Sequence, residues 1–441
     1  IPPHMVPSFF IPLRSMPVTQ TGKKNRKALR TLGASLSSEQ RQQYTLDDEA
    51  DSPNTNGGRA CTSEAEKRLR ALWSEVLGIF PEESISANDN FFHRGGDSIQ
   101  AMRLAAAARR AGKALAVSDL FRMPRLYQMA ELWENSVQSQ DATIAPFSLL
   151  QPEVVDDAIQ EAVRQCNVDA SDIEDIYLCS ALQEGLMAVS TRKQGSYIST
   201  RIFDLPADLD IDRFKGAWQK AADVFPILRT RIILGRASES LQVVLKEKLA
   251  WQTITDETSF SLPVIEYGGR LCSFAIDIEA RKFVLALHHA LYDGWSATVL
   301  LGAVEKFYAG EQYQVGPGYN VFIRHLSQVD QSESDNFWKD QLSGTPAHFP
   351  KLPSKTYEAK NSANVSHTIR LPAPEHQPTG ILKSTLLRAA WAIVSSRHAG
   401  SNDITFGAAQ SGRDCAVPGI VEVVGPTVTT VPVRIQINDD E

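Results

Sequence analysis

Two stretches with no sustained apolar period divide this chain into pieces that cannot share one continuous core. Residues 31–60, running from TLGASLSSEQ to SPNTNGGRA, are rich in Ser, Gln, Asp, Asn and Gly, which is linker composition. Residues 137–152 form a second, shorter linker. At 441 residues the chain also exceeds one ordinary domain. The resulting division is a short amino-terminal piece at 1–30, a small domain at 61–136 and a large one at 153–441.

Apolar residues make up 43% of the chain and charged residues 22%, the balance of a globular protein. A net charge of −7 argues against a nucleic-acid partner. The five cysteines are scattered and include no CxxC pair, which fits a reducing, cytoplasmic setting without a disulfide framework or a metal site. No apolar run approaches the roughly 20 residues of a membrane helix, and IPPHMVPSFF carries no signal-peptide pattern. Met5 lies inside a Pro-rich phrase and the strand-like VPVRIQI runs into NDDE, so the sequence reads as a segment of a larger polypeptide.

The small domain reads as helical. Ser63 and Glu66 have capping-box spacing ahead of Leu69, Leu72, Trp73, Val76 and Leu77 on one helical face. A second helix is expected from Ser98 to Gly112, then a short turn at Ser118–Phe121, then a last helix over 124–135. With the turn segment counted as the fourth, this span makes a small four-helix bundle. In FFHRGGDSIQAM, Gly95 and Gly96 let the backbone turn without side-chain obstruction. Asp97 and Ser98 both suit a helix start. A Ser98 hydroxyl at that junction is accessible, and a phosphodiester formed on it would meet the positive end of a helix dipole.

The large domain alternates strands and helices and is mixed α/β. Strands are expected at SYISTRIFDL, RTRIIL, LQVVL, LCSFAIDI and KFVLALHH, and helices at IDRFKGAWQKAADVF, GWSATVLLGAVEKFYAG and GILKSTLLRAAWAIVSSRHAG. In VLALHHALYDGWS a strand delivers His288 and His289, a turn follows, and Asp293-Gly294 opens a helix. A histidine so placed can accept or position a proton of an attacking amine. Two packed core histidines are the other reading of the pair. No HExxH pattern points to a metal.

The string DNFFHRGGDSIQAM resembles the attachment motif of thiolation, or peptidyl carrier, domains of nonribosomal peptide synthetases, with Phe91 and Phe92 as anchors. That resemblance implies 4′-phosphopantetheine attached covalently to Ser98 beside Gly96 and Asp97. The motif HHxxxDG at 288–294 resembles that of condensation domains, which have a chloramphenicol-acetyltransferase-like fold. ALQEGLMAVS (181–190), ILRTRI (227–232) and VVGPTVTTVPVRI (423–435) resemble further motifs of that family in the same order. By the resemblance, His289 positions or deprotonates the amine of an acceptor aminoacyl thioester, and His288 is structural. Asp293 pairs with an arginine, for which Arg229 and Arg434 are the candidates, and Gly294 allows close approach to the amides at the helix start.

Several positions depart from the family pattern. Leu178-Cys179-Ser180-Ala181 stands where fungal relatives often have prolines. Thr427 and Thr429 replace the Phe and Asn of many bacterial ones, and the fourth motif is faint at YNVFIRHL. The family's later segments would follow Glu441, so the resemblance implies an incomplete second lobe. LRSMPVTQTGKKNRKALR resembles the last motif of adenylation domains, PxTxxGKxxR, and Lys23 takes the place of the adenylation lysine. The implied function is amide-bond formation between carrier-bound substrates, including terminal cyclising release. The implied partners are a phosphopantetheinyl transferase, other domains and carriers of the same synthetase, and thioester substrates. Epimerisation of the carried residue, and a carrier joined to a non-catalytic docking domain, are the alternatives.

Overall fold

The computed structural model describes residue 17 and residues 59–438, apart from 114, 136–143, 256–259, 261–263, 345, 351–353, 355–356, 358–362, 370–381 and 416. Lys23 and the rest of the adenylation-like motif beyond Pro17 lie outside the described residues. Backbone packing groups the chain into two compact units. One takes in the described residues up to Asp97, Arg125–Tyr127 and those of Pro353–Trp391. The other takes in Ser98–Pro124, Gln128–Leu352 and Ala392 onward.

The expected carrier span holds four helices, α1 (Glu64–Leu77), α2 (Ser98–Arg110), α3 (Val117–Arg122) and α4 (Leu126–Asn135). Ser63 and Glu66 form the capping box read from their spacing: the Ser63 hydroxyl accepts from the Glu66 amide at 3.1 Å, and the Glu66 carboxylate accepts from the Ser63 amide at 3.2 Å. Gly78 ends α1 in the left-handed conformation. The segment expected as a turn at Ser118–Phe121 is instead the short helix α3, with Val117 and Leu120 buried. The last helix starts later than expected, because Arg125 is held in a β-bridge with Asn90.

In the second unit, α5 (Pro152–Cys166) presents Ala158, Ala162 and Cys166 at four-residue spacing. They pack with Ile173 and Ile176 of β1 (Ile173–Leu178) and with residues of two later strands. α6 (Ala181–Arg192), β2 (Ile198–Asp204) and α7 (Ile211–Val224) follow, then β3 (Thr230–Leu234), β4 (Ser240–Leu245), β5 (Trp251–Thr253), β6 (Cys272–Asp277) and β7 (Lys282–His288). β1, β4 and β3 form an antiparallel sheet in that order. A second sheet has the order β2-β7-β6-β5, antiparallel except for the β5–β6 pair.

α7 buries Phe214, Ala217, Trp218, Ala221 and Ala222, an i, i+3, i+4, i+7, i+8 stripe. Phe214 and Trp218 meet Phe283 with ring centroids 5.1 and 5.5 Å apart, and Trp218 meets Phe274 at 5.2 Å. A buried aromatic of this kind contributes about 1.5–3 kcal/mol through its area alone. β7 lies between two neighbours and is buried from Phe283 onward, so it lacks the alternation of a half-exposed strand. Its last residue, His288, pairs with Ile198 of β2. Beyond it come α8 (Gly294–Ala309), α9 (Tyr319–Ser327), α10 (Gln331–Gln341), α11 (Lys383–Ala399) and the antiparallel pair β8 (Asp403–Gln410) and β9 (Thr429–Gln436). The faint fourth motif, YNVFIRHL, is α9. Among the described residues no helix is long and apolar enough to cross a membrane.

Candidate active site and tether site

Ser98 is exposed at the first turn of α2, and that turn holds no acidic residue that would repel an anion. In the loop before it, the Asn90 side chain accepts from the Phe92 and His93 amides at 2.9 and 3.3 Å. Phe91 is fully buried against Trp73, with ring centroids 5.0 Å apart. The Gly96 amide donates to the Phe91 carbonyl at 3.0 Å. A Cβ on Gly96 would come within 2.5 Å of the Phe91 ring, so only glycine lets the loop fold onto its own anchor. The accessible hydroxyl at the first turn of a helix, directly after Asp97, fits a phosphodiester-linked arm.

His288 is fully buried. Its Nδ1 accepts from the Ala290 amide at 3.2 Å, so Nε2 carries the proton and faces the Ser190 hydroxyl oxygen at 2.8 Å. Ser190 in turn donates to the Ser196 carbonyl at 3.1 Å, which leaves its oxygen to accept. Burial, with His289 adding to it, lowers the His288 pKa to about 4.

His289 is half-buried, and its backbone amide donates to the Tyr197 carbonyl at 2.8 Å. Its ring stacks on Tyr292 at 4.7 Å. Nδ1 lies 2.9 Å from the Tyr292 carbonyl oxygen, which can only accept. Nδ1 is therefore the protonated nitrogen, and Nε2 keeps the lone pair.

Asp293 is the N-cap of α8. Its carboxylate accepts from the Ser296 amide at 2.7 Å, and the Ser296 hydroxyl accepts from the Asp293 amide at 2.8 Å. Both carboxylate oxygens lie 3.1 Å from Arg413 Nη2, and Oδ2 also accepts from the Thr427 amide at 2.9 Å and from its hydroxyl at 3.2 Å. Burial pushes the Asp293 pKa upward, but the Arg413 charge and these N–H donors outweigh it and hold the pKa below the ordinary value. Gly294 is exposed, and nothing lies within 4 Å of where its Cβ would be.

The arginine partner of Asp293 is thus Arg413, which corrects the expectation of Arg229 or Arg434. Arg229 sits at the end of a 3₁₀ turn, and its guanidinium is occupied by Glu174 at 2.7 Å, by the Ala222 carbonyl at 2.9 Å and by the Leu245 carbonyl. Arg434 points along β9 to Asp403 at 2.6 Å. Arg413 is fully buried and also donates to the Ile420 and Val423 carbonyls at 2.6 and 2.9 Å. Burial lowers its pKa, and the Asp293 carboxylate works against that. Arg229 and Arg434 stood inside recognisable motifs, whereas Arg413 stands between β8 and the next motif. Its only sequence signal was an arginine in the Ser411-Gly412-Arg413 turn.

Sequence reasoning also missed Gln183. It is fully buried, and its amide donates at 2.9 Å both to the Ala290 carbonyl and to the Gln242 side chain. Its Oε1 accepts from the Ser180 amide at 2.9 Å, closing a capping box on α6. The first condensation-like motif therefore clamps the histidine loop from the other side. Ser180, at the position where the family pattern has prolines nearby, is that helix's cap.

A family model for a phosphopantetheine attachment site matches residues 67–133, and one for a condensation domain matches residues 269–441. The solved structure of holo T3CT resembles the fold with a TM-score of 0.51 at 23% identity, over 67% of this chain and 70% of that one. Fold and site together define a multidomain protein that joins a helical carrier region to a chloramphenicol-acetyltransferase-like condensation fold. FR901469 synthetase of Dothideomycetidae sp. is 38% identical over 100% of this chain and 3% of its own length. Nonribosomal peptide synthetase atnA of Emericella nidulans is 38% identical over 100% of this chain and 6% of its own length, and nonribosomal peptide synthetase 6 of Alternaria brassicicola 36% over 100% and 30%. The chain belongs to the nonribosomal peptide synthetases, and it spans between 3% and 30% of the length of these curated relatives.

Proposed function

We propose that residues 61–136 act as a carrier holding an aminoacyl or peptidyl thioester through 4′-phosphopantetheine on Ser98, and that His289 in residues 153–441 serves amide-bond formation. The arm supplies, when bound, a thiol that carries the acyl group as a thioester. The observation that carries the catalytic half is the tautomer of His289. With Nδ1–H committed to the Tyr292 carbonyl, Nε2 is the ring atom able to hold an acceptor amine or take its proton. Neither neighbour competes for that role. His288, with a pKa of about 4, stays neutral and bonded to Ser190, and the Asp293 carboxylate is saturated by Arg413, Ser296 and Thr427. The exposed, unobstructed backbone at Gly294 offers the helix-start amides to a developing oxyanion.

The reading implies a phosphopantetheinyl transferase that installs the arm and neighbouring synthetase domains, among them the adenylating one whose last motif Lys23 resembles. Five free cysteines support a cytoplasmic setting. Incubating the chain with a phosphopantetheinyl transferase and coenzyme A should add the mass of one arm, and Ser98→Ala should add none. Loading of the alanine variant at the wild-type level would remove Ser98 from the proposal.

A further inference from the structure

The C-terminal end of α2 meets the turn that follows β8, within one compact unit. Arg109 Nε lies 3.1 Å from Glu422 Oε2, with the two side chains only 19% and 11% exposed. Gly419, at φ +72°, receives the Arg109 guanidinium so closely that a Cβ there would collide with it and would stand 2.9 Å from Pro317 Cδ. On the other side, a Cβ on Gly316 would fall 2.5 Å from Glu422 Cβ. Burial, and next the Glu422 carboxylate, raise the Tyr313 pKa, while Arg110 of the same helix works against them. The turn is also tied inward. Arg413 donates to the Ile420 and Val423 carbonyls, and Trp295 Nε1 donates to the Val421 carbonyl at 2.7 Å.

We infer that the turn Gly419–Val423 is a docking patch for α2, the helix that begins at Ser98, and that Glu422 is its ionic anchor. The partner is this chain's own carrier helix, which presents Arg109 and Arg110 in its last turn. A carboxylate as enclosed as Glu422 is costly without a cation, and a seated α2 supplies one. The same Arg413 that braces the patch holds Asp293 at the start of α8, so the docking surface and the framework of the histidine loop are one construction. The inference rests on reading residues 61–136 as a carrier.

Arg109→Lys places an amine beside Glu422, and a zero-length carbodiimide should then join position 109 to Glu422 in the intact chain, as seen by peptide mass mapping. Glu422→Gln should abolish that link. In the full-length synthetase, Glu422→Arg should slow acyl transfer from this carrier by roughly 3–10-fold, and combining it with Arg109→Glu should restore most of the loss. No link in Arg109→Lys, or no rescue by the charge swap, overturns the docking patch. If wild-type transfer itself is absent but the link forms, the proposed activity fails and the docking patch stands.

Discussion

The proposed tether site and the histidine site are built in opposite ways. Ser98 is exposed and is built by its immediate neighbours: an Asn90-stabilised turn, a glycine folded onto Phe91 and a helix start. His289 is held by residues far along the chain. Tyr197 fixes its backbone, Gln183 clamps the next residue, and the helix that follows is capped by an aspartate locked to Arg413 and Thr427. In the role proposed for Ser98 a tether must be reached from outside, so it needs little around it. In the role proposed for His289 a base needs a fixed tautomer, and the Tyr292 carbonyl at Nδ1 sets it.

The contrast is strongest at the two key side chains. Ser98→Ala should abolish loading altogether, yet shift stability by no more than about 0.5 kcal/mol, as an exposed position does; thermal unfolding beside the mass assay checks both. His289→Ala should lower amide formation in a full-length synthetase by about 10²–10⁴. Unchanged turnover at substrate saturation would reduce His289 to a packing residue.

Smaller effects test the framework. Arg413→Met leaves a buried carboxylate without its cation and should cost about 3–5 kcal/mol, whereas Arg434→Met, which breaks the more exposed pair with Asp403, should cost about 1 kcal/mol or less. Urea titration of the two variants ranks them, and equal losses would mean that the Asp293–Arg413 pair is not special. A further effect is a pH dependence from His288. Its pKa falls from 6.5 to about 4 on folding, so the unfolded chain binds more protons between those values. Its contribution to stability is complete above pH 6.5 and is lost as the pH falls toward 4. Melting temperatures across that window should drop less steeply in His288→Gln than in the wild type.

Much of this was legible in residues close together in the chain. The capping box at Ser63 and Glu66, the Ser98 helix start and the strand that delivers His288 follow from period and spacing, because caps, turns and strand burial are set within a few residues. α3 was misread as a turn because six residues are too few to show a helical period. Glu66 also shows the limit: its box was readable, its bond to Arg59 was not.

The local sequence settles where a tether and a histidine pair can sit, because φ/ψ preferences and hydrophobic period act over a few residues. Which arginine meets Asp293, which nitrogen of His289 keeps its lone pair and which turn receives the end of α2 were settled only by folding. Each depends on groups between 3 and 313 residues apart whose desolvation must be satisfied together. Arg229 and Arg434 had the right chemistry for Asp293. Each was claimed by a nearer acid, and the fully buried guanidinium of Arg413 took the carboxylate that no motif had assigned to it.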